Sequence, residues 1–143
     1  MIYKLTHPER AGALFAQAQD TMILSCLQNV MGEIYADDPE NPKSAMAVLG
    51  VFCFFAGEVN AELIAYKPDT YTIPFILMSA DTSSLRAAIQ AQYGERAKKV
   101  TRYAIKKEAG IFSEQRLQQI VDTLGAEYEL NLIDEAIFNW SRR

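Results

Sequence analysis

This 143-residue chain has one histidine, two cysteines and no clustered glycine, and each scarcity removes a class of chemistry. His7 is the single histidine, and beside Pro8 it reads as a capping or surface residue. With it and two distant cysteines, Cys26 and Cys53, no zinc site of ordinary ligand spacing can be assembled. A Ser-His-Asp triad would have to use His7, and no G-x-S-x-G elbow exists to present a serine to it. The seven glycines, at 12, 32, 50, 57, 94, 110 and 125, stand alone. No G-x-G loop can gather backbone amides around a phosphate, and no glycine precedes Lys-Ser or Lys-Thr as a P-loop requires.

Positive charge is also in short supply. The formal net charge of −4 argues against nucleic-acid binding, which needs a basic domain. No apolar run reaches the ~18 residues of a membrane span. Residues 1–20 lack a signal peptide's charged head, apolar body and small-residue cleavage site. The expectation is a cytoplasmic protein with neither nucleic acid nor membrane as partner. Cys26 and Cys53 lie among apolar neighbours and read as buried reduced thiols, not as a disulfide. Half of the residues are apolar and 22% are charged, an ordinary globular composition. The length suits one domain over residues 1–143, burying roughly 68–70% of the unfolded surface.

What is present organises around residues 32–58. Residues 33–36 read as a strand. Asp37-Asp38-Pro39-Glu40-Asn41-Pro42 is turn chemistry that no helix or central strand survives. Residues 44–56 are almost wholly apolar, which suits one long strand covered on both sides, with Gly50 as a bulge. Ahead of this hairpin, Pro8 and Glu9 open a helix with Leu14, Phe15 and Ala18 on its apolar stripe. Asp20 or Thr21 caps a second helix carrying Met22, Ile23, Cys26, Leu27 and Val30. After it, Asn60 caps a short helix to Tyr66, and residues 72–79 form a strand that Pro74 places at an edge or strand start. Asp81 to Ser84 offer caps for a helix with Leu85, Ala88, Ile89 and Tyr93, stopped by Gly94. Residues 96–107 read as a lysine-guarded strand and Ser113 opens an amphipathic helix. Residues 128–133 read as a final strand, and Asp134 starts a terminal helix with Ile137, Phe138 and Trp140.

The polar candidates are few. Asp37, Asp38, Glu40 and Glu58 place four carboxylates around one hairpin, where they could receive an amine or act as a general base. Plain turn chemistry beside prolines is the weightier reading. Arg96, Lys98, Lys99, Arg102, Lys106 and Lys107 form a basic run, with Tyr103 as its lone aromatic. A phosphate or RNA site would interleave more aromatic platforms, so a solvated edge is favoured.

DDPENPKSA at residues 37–45, FCFFAGE at 52–58, VTRYAIKKE at 100–108 and ELNLIDE at 129–135 resemble the N-terminal half of a bacterial GNAT-like acetyltransferase family, the group to which the zwittermicin A resistance proteins belong. The likeness runs from the helix at 21–27 to Asp134-Glu135. It implies a protein about twice this length, whose C-terminal half grips acetyl-CoA pyrophosphate through a Q/R-x-x-G-x-G/A loop. This chain departs from that pattern: Gln90-Ala91-Gln92-Tyr93-Gly94 has the wrong spacing and closes a helix instead of opening one.

The fold class expected is α+β with α/β-like alternation, a mixed, mostly antiparallel central sheet with helices packed on it, related to the N-terminal domain of that family. The function expected is the substrate-side or structural domain of an N-acetyltransferase, with no cofactor in this chain and acetyl-CoA implied only for the full-length family. The alternative is a non-catalytic binding or dimerisation module that keeps the fold. A small amine as substrate, with Asp37, Asp38, Glu40, Glu58 and Tyr103 as candidate contacts, and a second copy or a separate GNAT core as partner complete the expectations. Ile137, Phe138 and Trp140 are the residues through which such association would run.

Overall fold

The computed structural model describes residues 1–69, 71–103 and 108–141. Lys106 and Lys107 of the basic run, the rest of residues 104–107, and the terminal Arg142 and Arg143 lie outside them. Contacts divide the chain into two compact units, Met1–Lys99 and Val100–Arg143.

The first unit is built on a five-stranded sheet in the order β1-β2-β3-β4-β5. Its strands are β1 (Tyr3–Lys4), β2 (Glu33–Ala36), β3 (Ser44–Leu49), β4 (Phe52–Gly57) and β5 (Leu77–Ala80). The first four pair antiparallel; β5 runs parallel to β4. The apolar run 44–56 is therefore not one strand with a bulge. It folds back on itself as a hairpin, with Leu49 opposite Phe52. Gly50 takes φ +57 at the first of the two turn residues, the left-handed geometry that a tight hairpin turn asks of glycine. Periodicity alone could not reveal the fold-back, because both arms are buried on both faces and so neither alternates.

Register assigns the faces. Ile34, Ala47 and Phe54 lie opposite one another, and with Ala36, Ala45 and Ala56 they pack against Leu5, Ala11, Phe15, Ile23 and Cys26. The alanines keep this face shallow, so α1 (Thr21–Leu27) and the 8–18 segment come close. On the other face Tyr35, Met46 and Phe55 line up. They are covered by Leu63 and Ile64 of α2 (Ala61–Ala65) and Leu85 of α3 (Ser83–Tyr93). Phe54 and Phe55 are thus buried on opposite faces, while Phe52 is half-buried and stacks on Phe54 with ring centroids 6.3 Å apart.

Helix starts follow the expected caps. Asp20 accepts from Met22 N at 3.0 Å, Asn60 from Leu63 N at 3.0 Å, and Thr82 from Leu85 N at 3.2 Å. The 8–18 segment departs from expectation: only Pro8–Ala11 is helical, as a 3₁₀ turn, and the chain continues through i→i+3 bonds such as Leu14 N to Ala11 O (3.0 Å). That tighter path seats Ala11 and Phe15 in the core, so packing overrides helix propensity. Val30 lies beyond the end of α1 and is exposed. Of residues 72–79, only 77–79 are strand, within β5; Pro74 has no N–H for a ladder, and the first bond, Leu77 N to Val51 O (2.8 Å), comes three residues later.

The second unit contains α4 (Glu114–Val121), capped by Ser113, and α5 (Glu135–Ser141), whose start is held by Asp134 Oδ1 accepting from Ile137 N at 2.8 Å. Of the strands expected over 96–107 and 128–133, the described residues 96–103 and 128–133 form none and pair with no strand of the sheet, and 104–107 lie outside the described residues. Leu117 and Ile120 of α4, and Phe138 and Trp140 of α5, are exposed. No helix among the described residues is long and apolar enough to cross a membrane.

Phe54→Ala empties a filled site in the first face, and a loss of about 3–5 kcal/mol in chemical denaturation is expected. A loss below about 1 kcal/mol would mean that the strand does not carry the core.

Candidate functional site

The acidic loop between β2 and β3 spends two of its carboxylates on its own backbone. Asp37 Oδ1 accepts from Lys43 N and Ser44 N, each at 3.0 Å. Asp38 Oδ1 accepts from Glu40 N and Asn41 N, each at 2.8 Å, and these bonds, Asn41 first, hold its carboxyl below the usual value. Glu40 pairs with Arg10, whose Nη1 also donates to Pro39 O at 3.2 Å. The exit from β4 is tied to the same loop: Glu58 N donates to Lys43 O at 2.8 Å, and Ser44 Oγ donates to Glu58 O at 2.9 Å. Asp37, Asp38, Glu40 and Glu58 thus gather at one end of the sheet. Tyr103 belongs to the second unit, where it is exposed.

A phosphate would seek backbone amides at a strand-to-helix turn. At the turn into α2 the Glu58 amide is taken by Lys43 O and the Leu63 amide by the Asn60 side chain. Glu58 and Glu62 add negative charge there, and Glu62 receives the Met1 ammonium at 2.7 Å. The turn into α3 is capped in the same way by Thr82, with Arg86 Nη1 donating back to Ala80 O at 2.8 Å. Among the described residues no group of three or more His, Cys, Asp or Glu could hold a metal ion.

A cavity of about 260 Å³ opens on the α2–α3 face, toward the Gly50 end of the sheet and away from the acidic loop. Met46, Val48, Cys53 and Met78 form its sheet-side wall, and Ile73, Pro74, Phe75 and Ile76 of the crossover into β5 form another. Tyr66, Lys67, Tyr71, Tyr93 and Arg96 supply its polar atoms. The Tyr71 hydroxyl donates to Phe75 O at 2.8 Å and that of Tyr93 to Ile64 O at 2.7 Å, so both rings are pinned. Tyr66 stacks at a tilt on Tyr35, centroids 5.2 Å apart. Arg96 lies 5.6 Å above the Tyr93 ring, close enough for cation–π attraction. Burial pushes the Cys53 thiol and the Tyr71 and Tyr93 phenols up, so all three stay neutral at ordinary pH. Neither Lys67 nor Arg96 pairs with a carboxylate among the described residues.

Sequence reasoning did not assemble this cavity. Lys67-Pro68-Asp69 reads as a helix stop and Arg96 as the start of a basic run. The signal that could have found it is non-local: three tyrosines, two of them next in sequence or within three residues of a cation, brought together only by the β5 crossover.

A family model described as GNAT acetyltransferase matches residues 12–143. The chain is similar to a GCN5-related N-acetyltransferase-like protein from Streptococcus suis 89/1591, known from a crystal structure, with 31% identity and a TM-score of 0.69. The match covers 93% of this chain and 53% of that one, so the chain spans about half the length of its solved relative. No curated protein matches it.

Gly57 closes the acidic end, with φ +88 and with Lys43 O only 2.1 Å from where a Cβ would stand. Gly50 has φ +57 but open space around it. Gly50→Ala should therefore cost about 1–2 kcal/mol, the left-handed penalty alone, and Gly57→Ala markedly more, because the loop must move. Equal losses in urea denaturation would contradict this packing of loop against strand.

Proposed function

The chain belongs to the GNAT acetyltransferase family, and from that premise we propose that it serves as the N-terminal, substrate-side or structural domain of a GNAT-like N-acetyltransferase, with acetyl-CoA held by another part of the protein. The observation that carries this reading is the turn from β4 into α2. Two of its amides, those of Glu58 and Leu63, are committed to Lys43 and Asn60, and Glu58 and Glu62 are acidic, so a pyrophosphate meets fewer donors and like charge. The length of the Streptococcus suis relative, of which this chain covers 53%, supports a two-part arrangement. Residues 37–45 and 100–108 extend the proposal to the group that includes the zwittermicin A resistance proteins.

In acetyl transfer an amine nitrogen attacks the thioester carbonyl, gives up a proton and releases the thiolate. The domain's part in this is electrostatic. Its acidic end, with Asp37, Asp38, Glu40 and Glu58, attracts a protonated amine toward the chemistry without performing it. Titration of acetyl-CoA into the chain by calorimetry should give no binding in the low micromolar range. A dissociation constant of a few micromolar would overturn the reading.

A second reading, a binding or dimerisation module, has its own support in the exposed Phe138 (51%) and Trp140 (74%) of α5. Light scattering at about 100 μM should then report a mass above the monomer that Phe138→Ser with Trp140→Ser returns to it. A monomeric wild type would remove this reading.

A further inference from the structure

We propose that the cavity on the α2–α3 face is a binding site for a small amphipathic carboxylate, a molecule with one anionic head and a flexible apolar body. The volume, about 260 Å³, sits just under the roughly 300–1,000 Å³ of pockets that take drug-sized ligands, so the occupant is small. Its inner walls are apolar, and two of them are methionines, Met46 and Met78, whose unbranched side chains adapt to a flexible chain. No Asp or Glu lines it.

The head group follows from the donors. The hydroxyl hydrogens of Tyr71 and Tyr93 are committed to the carbonyls of Phe75 and Ile64. The donors left for a ligand are the Tyr66 hydroxyl and the side chains of Lys67 and Arg96, the last two cationic and neither paired with a carboxylate among the described residues. The Tyr93 ring under Arg96 holds the guanidinium over this corner. With Cys53 and both phenols neutral, no negative charge inside competes for these cations. An amine would meet two cations here and no carboxylate. The site is thus distinct from the acidic end of the sheet.

The chain carries its own reporters, since Met46 and Met78 line the cavity while Met1, Met22 and Met31 do not. The test is a titration of methyl-¹³C-methionine protein with sodium decanoate, and in parallel with decylamine, followed by two-dimensional NMR. Decanoate should shift the Met46 and Met78 methyls saturably and leave the other three in place. Decylamine should bind at least tenfold more weakly. Lys67→Gln and Arg96→Gln, both at exposed positions, should each weaken decanoate by about 2–5-fold and keep the native spectrum. Three results would overturn the proposal: shifts spread over all five methionines without saturation, equal binding of the amine, or a double variant that binds decanoate as the wild type does. Tight acetyl-CoA binding, by contrast, would overturn the preceding reading and leave this one standing.

Discussion

Burial of β3 and β4 on both faces is the constraint from which the rest of the first unit follows. A strand covered twice has no solvent side, so its side chains must be apolar throughout, and its ends must turn where nothing bulky intrudes. Gly50 provides one turn, and the other end is tied off by Gly57 against Lys43. Once the hairpin is fixed, its two faces demand different covers. The alanine face admits α1 and the 3₁₀ segment at short range. The Met46–Phe55 face, with larger side chains, takes α2 and α3 and leaves the cavity between them and the sheet.

The same sheet separates charge along its length. Four carboxylates collect at the Ser44–Gly57 end, with Arg10 pairing one of them, and Lys67 and Arg96 stand toward the Gly50 end. The two proposed sites therefore call for ligands of opposite sign, although the chain as a whole carries only a modest negative charge. Asp37 and Asp38 illustrate how one residue type serves two purposes. An Oδ1 that accepts two backbone amides shapes the loop, and the charge that remains on the carboxylate still contributes to the field outside it.

Local chemistry was legible in the sequence; pairing was not. Asp20, Asn60, Thr82, Ser113 and Asp134 announced their helices because a cap acts on residues two or three positions away. Strand β2 and the turn after it could be read for the same reason. The fold-back at Gly50 was hidden because two doubly buried strands and one long one share a pattern. Residues 128–133 look like a strand, yet a strand exists only where a neighbour offers a ladder. The carboxylates of the acidic loop were found because they are adjacent. The cavity was missed because its residues come from β3, β4, β5, the crossover and the end of α3.

The parallel pairing of β5 with β4 has a consequence for how the molecule comes together. The hairpins β2–β3 and β3–β4 close over short stretches of chain, whereas β5 can register against β4 only after α2 and the segment up to Leu77 have crossed the sheet. Closing a longer loop costs more entropy, so β2, β3 and β4 are the strands that short connections bring together, while β1, with Tyr3 opposite Ala36, and β5, with Leu77 beside Phe52, must each close a longer stretch. An opening that released β5 would loosen the cavity walls borne by the crossover with it.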